Sequence, residues 1–134
     1  MPTKNELINF FRSEFPQADI VIESVSAKSV TIRKKINHTH LRPGGTVSGP
    51  TLMEMADAVI YVAILAEIGL VALAVTTSLN INFLRKPASD KDILAVCKLI
   101  KLGKLLAVGE VSLFSEGEDE PVAHAVGTYA IPPR

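Results

Sequence analysis

The sequence predicts an α+β fold in which one curled antiparallel sheet wraps a single long helix. Residues 49–68 (GPTLMEMADAVIYVAILAEI) are apolar on nearly every side, and a helix apolar all round has to be covered over most of its surface. The segments that flank it alternate apolar and polar residues with period two, the pattern of half-buried strands. Short turns separate several of these segments, which favours antiparallel neighbours.

Each element follows in order. Residues 1–16 (MPTKNELINFFRSEFP) read as an amphipathic helix stopped at Pro16. Ile20, Val21, Ile22 and Val25 mark a short strand, with a turn near Ser26 to Lys28. The next strand sets Val30, Ile32 and Ile36, with the stem of Lys34, against Ser29, Thr31, Arg33 and Lys35; Arg33, Lys34 and Lys35 read as a solvated rim. Residues 37–47 (NHTHLRPGGTV) form a loop, because Pro43, Gly44 and Gly45 interrupt any regular element. Pro50 then suits the first turn of the central helix, where its missing N–H is not needed. Ser48 or Gly49 serves as its cap, and Gly69 as its stop. Val75 to Phe83 alternates throughout, and Ile93 to Leu102, Leu105 to Phe114 and Val122 to Ile131 complete the strands. The 134 residues form one domain, 1–134.

Composition narrows the function classes. The chain is 48% hydrophobic and 21% charged, with mean hydropathy +0.30, enough to furnish a core. Fourteen basic and fourteen acidic side chains cancel, which argues against the cationic excess needed for binding nucleic acid through its backbone. A membrane span needs about 20 apolar residues; the most apolar stretch, Leu52 to Leu70, is interrupted by Glu54, Asp57 and Glu67. The N-terminus lacks the apolar core of a signal peptide. The expectation is a cytoplasmic protein without membrane or nucleic-acid partners.

Two features point to chemistry. Asp57 lies among apolar neighbours inside the central helix, where a carboxylate costs several kcal/mol unless paired or hydrated. It is either a working general base or nucleophile, or an exposed residue on a wet stripe shared with Glu54, three positions away. The second feature is the Gly-rich loop that ends at the helix start. Free N–H groups there form an oxyanion or anion site, and Gly49 can offer its N–H without a side chain in the way. Other candidates are weaker. His38 and His40 lack an evident third ligand, so no metal is expected. The spacing around Ser48 is not that of a nucleophile elbow. Cys97, the only cysteine, reads as a small buried hydrophobe.

The blocks RPGGTVSGPTLMEMAD, VTTSLNINFLRKPA and KLIKLGKLLAVGEVSLFSEGEDEPVAHAVGTYA resemble the PaaI-like acyl-CoA thioesterases of the hotdog fold, across about residues 19–131. The family's loop-helix motif is Asn-x-x-Gly-x-x-His-Gly-Gly with an acid nine positions after the His. The resemblance sets Gly45 and Gly49 on glycines of that motif and Asp57 on the catalytic acid. Arg42 stands where the family has Asn, Ser48 where it has His, and Pro50 where it has the second Gly.

The resemblance implies hydrolysis of an acyl-CoA thioester to a carboxylic acid and free coenzyme A. Asp57 would activate water or attack directly, and the Gly49 N–H would hold the oxyanion. In relatives these two groups come from different subunits, so a homodimer is implied, and a homotetramer is expected in this family. The apolar outward residues Leu94, Val96, Leu106 and Val108 also imply a covered outer surface. Arg42 and Ser48 would contact substrate. Thr76, with Thr77 if the register slips by one, would position the water. Arg85 has the best claim on the coenzyme A phosphates, ahead of Lys86, Lys101 and Lys104. No cofactor is expected beyond the coenzyme A carried by the substrate. The alternatives are a hydratase or dehydratase of acyl thioesters using His40, and a non-catalytic acyl-CoA-binding module.

Overall fold

The computed structural model describes residues 2–16, 19–70 and 73–133. Helix α1 spans Lys4–Glu14. It opens on a reciprocal cap in which Thr3 Oγ1 accepts from the Glu6 N–H and the Glu6 carboxylate accepts from the Thr3 N–H. Strands β1 (Val21–Ser26) and β2 (Ser29–Lys34) form a hairpin whose turn puts Lys28 at φ 57°. A short 3-10 turn at His38–His40 precedes the central helix α2, Gly49–Ile68, which has the bounds its sequence predicts. Strands β3 (Val75–Phe83), β4 (Ile93–Leu102), β5 (Leu106–Ser115) and β6 (Ala123–Ala130) follow.

The six strands make one antiparallel sheet in the order β1-β2-β4-β5-β6-β3, curled around α2 in the hotdog arrangement. Its inner face follows the expected alternation: Val30 and Ile32, then Ala95 and Cys97, Val111 and Leu113, and Ala123 and Ala125 are all buried. The middle of α2 lies against this face, with Val59, Ile60, Val62, Ile64 and Leu65 all buried. Two glycines let the helix approach closely. Gly109 and Gly127 are cross-strand partners, and Ile60 fills the space above both. A Cβ on Gly127 would come within 2.6 Å of Ile60 Cδ1, and one on Gly109 within 3.1 Å of Ile60 Cγ1.

Strand β3 is the outer edge of the sheet beside β6. Its apolar ends are exposed, Val75 at 56% and Phe83 at 53%. Among the described residues, no helix is long and apolar enough to cross a membrane.

The structure corrects the reading of the basic strand β2. Arg33 is not a solvated rim residue. Its guanidinium binds Asp92 at 2.9 Å and Glu116 at 2.6 Å and also pairs with Glu23, which ties β1, β2 and the ends of β4 and β5 together. These carboxylates hold its proton still more tightly than usual. Lys34 is 4% exposed; its Nζ donates to Glu54 Oε1 at 3.2 Å and to the Asp19 carbonyl at 3.3 Å. Its inward parity in the alternation buries the stem, and the helix carboxylate satisfies the charge.

Candidate active site

Asp57 lies just over two turns into α2, on the side that faces the start of β3 and the end of β6. It is half-buried, and two hydroxyls hold it. Thr76 donates to Asp57 Oδ1 at 2.5 Å. The Tyr129 hydroxyl is 2.8 Å from the same oxygen and 3.0 Å from the Asp57 carbonyl. Among the described residues Oδ2 has no hydrogen-bond partner. One carboxylate oxygen is therefore pinned and the other is not, and Asp57 borders a cleft of about 400 Å³ whose walls include Phe11, Phe15, Ala58 and Tyr61.

The pinning depends on a bulge. Thr76 pairs with Tyr129 across β3 and β6, but the register shifts before Ser78, which pairs with Thr128. Thr77 is the extra residue. Its hydroxyl turns to the Thr128 carbonyl at 3.3 Å and not to Asp57. Of the two candidate threonines, Thr76 is the one that reaches Asp57, and it holds the carboxylate itself.

Tyr129 is absent from the sequence-based candidates. It is 4% exposed, and burial pushes its phenol well above the ordinary value, with the Asp57 charge adding to the effect and the Thr76 hydrogen bond opposing it. The phenol therefore stays protonated and a donor across the working pH range. A signal was available: Ala123, Ala125, Gly127 and Tyr129 share the inward parity of β6, and a buried tyrosine hydroxyl normally finds a partner.

Gly49 opens the same helix, eight residues before Asp57, or about 12 Å along the axis. Ser48 is the N-cap. Its Oγ accepts from the Thr51 N–H at 3.3 Å and shares a hydrogen bond with Thr51 Oγ1 at 2.8 Å. The Leu52 N–H reaches the Ser48 carbonyl, and Pro50 has no N–H. Among the described residues, that leaves the Gly49 N–H without an acceptor in the first turn. Gly49 lies on a separate cleft of about 420 Å³, whose lining includes Arg42, Phe83, Arg85 and Lys86.

The predicted residues thus fall into two groups. Asp57 and Thr76 meet at one cleft; Gly49, Arg42 and Arg85 meet at the other. Ser48 is spent on capping. Arg85 is held by Glu120 at 2.6 Å and by the Pro121 carbonyl at 3.1 Å, which fixes it at the rim of the Gly49 cleft. His40 does not border the Asp57 cleft; its Nδ1 accepts from the Asn37 N–H. Cys97 is buried, and burial pushes its thiol up to about 12, the behaviour of an inert side chain.

The family model of the thioesterase superfamily matches residues 44–122, more than half of the chain. No curated protein matches the chain. Among solved structures, a "putative thioesterase" from Silicibacter sp. TM1040 is 45% identical with a TM-score of 0.90, covering 97% of this chain and 92% of its own. Zebrafish thioesterase superfamily member 2 is 24% identical with a TM-score of 0.87, over 98% of this chain and all of its own. The PaaI protein of the E. coli phenylacetic acid degradation operon is 19% identical with a TM-score of 0.80, over 96% and 95%. The last two likenesses establish the shared hotdog architecture. The match through the loop and α2, together with the close relative over nearly the full length, shows that this chain belongs to the thioesterase superfamily.

Proposed function

We propose that the protein hydrolyses an acyl-CoA thioester to a carboxylic acid and free coenzyme A, with Asp57 and the Gly49 amide as the two catalytic groups. The observation that carries this reading is the half-buried Asp57 carboxylate at the wall of a cleft, tethered through Oδ1 by Thr76 and Tyr129 while Oδ2 has no partner among the described residues. Oδ2 either draws a proton from an attacking water or attacks the carbonyl carbon itself, giving a mixed anhydride that water then hydrolyses to free the acid and restore the carboxylate. The carbonyl oxygen gains negative charge, the C–S bond breaks, and the coenzyme A thiolate leaves. An unused N–H at a helix start is suited to the oxyanion. Water is the only co-reactant, so no cofactor is called for.

Gly49 of the same chain lies on a different cleft, so the reading calls for a homodimer. Strand β3 supports one. It is an unpaired edge, which invites another strand, and it runs from Thr76 at the Asp57 cleft to Phe83 at the Gly49 cleft. Antiparallel pairing of β3 with its copy would bring the acid cleft of one protomer to the amide cleft of the other. Arg42, Arg85 and Lys86 would then supply cations for the coenzyme A phosphates. The half-buried apolar residues on the outer sheet face, Leu94, Val96 and Val108, suit a further pairing of dimers into a tetramer.

Thiol release from a panel of acyl-CoA esters tests the reading. Asp57→Asn should fold and assemble as wild type and lose about 10²–10⁴-fold in kcat. An unchanged kcat in a folded Asp57→Asn protein overturns the assignment.

A further inference from the structure

The cleft beside Asp57 has a neighbour. A second cleft of about 390 Å³ lies beyond it, bounded by Ile8, Ile20, Val21 and Ile22, with Arg12 and Asp19 also on its wall. The two clefts share two residues, Phe11 and Phe15 of the α1 segment. Phe15 forms a three-ring cluster with Phe11, at a ring distance of 5.5 Å, and Tyr61, at 5.4 Å and nearly edge-on at 77°, while Phe11 and Tyr61 meet at 5.7 Å. Phe11 is fixed in the core at 6% exposure. Phe15 is only half-buried and caps the end of α1 through its N–H to the Phe11 carbonyl. All of these residues except Tyr61 lie outside the segment matched by the family model, so this wall is not part of the family's loop-helix motif.

We propose that Phe15 is the partition that sets acyl length: the cleft at Asp57 takes a compact acyl group, short aliphatic or single-ring, and the Phe15 ring closes the way into the second cleft. This rests on the hydrolase reading above. About 400 Å³ is at the small end of ligand-sized sites, yet a cavity of ~150 Å³ already admits benzene. A compact group fits with its carbonyl at Asp57. A long chain would have to pass Phe15, and the apolar second cleft would receive its far end.

The experiment compares kcat/KM for hexanoyl-CoA, benzoyl-CoA and palmitoyl-CoA, the last below its micelle-forming concentration, in wild type, Phe15→Ala and the milder Phe15→Leu. Thermal melting checks that each variant is folded. Wild type is expected to favour hexanoyl-CoA and benzoyl-CoA over palmitoyl-CoA by at least tenfold. Phe15→Ala should shift the palmitoyl-to-hexanoyl ratio at least tenfold toward palmitoyl, and Phe15→Leu should shift it in the same direction by less. Filling the second cleft with Ile20→Trp in the Phe15→Ala background should cancel the shift. Equal use of palmitoyl-CoA by wild type overturns the partition, as does an unmoved ratio in the folded variants. Thiol release from no thioester at all overturns the hydrolase reading and this inference with it.

Discussion

The Asp57 cleft and the Gly49 cleft are two turns apart on one helix, and they are furnished in opposite ways. The first is walled by aromatic rings and holds two carboxylates, Asp57 and the Lys34-paired Glu54, with no cation among its described lining residues. The second carries Arg42, Arg85 and Lys86 around an unused backbone N–H and has no acid among its described lining residues. On the proposed reading, one suits an apolar acyl group held against a base and the other suits anions. A thioester of coenzyme A has both parts, an acyl end and a phosphate-bearing end, joined at the carbonyl. The contrast within a single chain teaches that, on the proposed reading, neither cleft would be a complete catalyst alone and a second copy would be needed to join them.

That comparison breaks most sharply by mixing. Asp57→Asn and Gly49→Val should each be nearly inactive, the latter because a side chain there meets Phe83 and obstructs the approach to the amide. Loss of an oxyanion donor is worth about 10²–10³-fold in kcat. Subunits exchanged between the two variants should regain activity, since roughly half of randomly re-paired dimers are mixed and each carries one intact site. Thiol release that stays at background after verified exchange would place both groups in one subunit's site.

A smaller effect separates the tether from the base. Tyr129→Phe keeps the ring and removes the hydrogen bond to Oδ1, so kcat should fall about tenfold with KM little changed. Thr76→Ser, which keeps a donor, should stay near wild type, whereas Thr76→Val should not. If Tyr129→Phe instead raises KM at constant kcat, the phenol binds substrate and does not position the acid. The smallest effect belongs to the amide cleft. Arg85→Ala should raise KM a few-fold, because an exposed ion pair is worth about 1 kcal/mol or less. The salt dependence of KM should flatten in step. Steady-state kinetics at two ionic strengths provides the check.

The architecture was legible because it rests on local patterns. The apolar run of α2, the alternation of Val75–Phe83 and the inward parity of β4 to β6 each name an element without reference to the others. Asp57 and Gly49 were legible as a misfit acid and a loop-to-helix junction. The rest required long-range geometry. The bulge at Thr77 leaves no trace in an alternating sequence, so Thr76 and Thr77 could not be told apart before the β3 and β6 register was known. Arg33 looks solvated until Glu23, Asp92 and Glu116 converge on it from three separate segments. Tyr129 lies 72 positions from Asp57, and nothing local to either residue announces the pair.

The notch formed by Gly109 and Gly127 has an effect beyond packing. Ile60 seats in it like a key in a slot, three residues after Asp57, and so sets both the rotation of α2 and its position along the axis. The aim of the carboxylate is therefore decided where the flank of the helix next to it, one turn on, meets the sheet. If Asp57 is the working acid, wall residues such as Phe15 or Ala58 could be exchanged to suit a different acyl group while the carboxylate keeps its bearing.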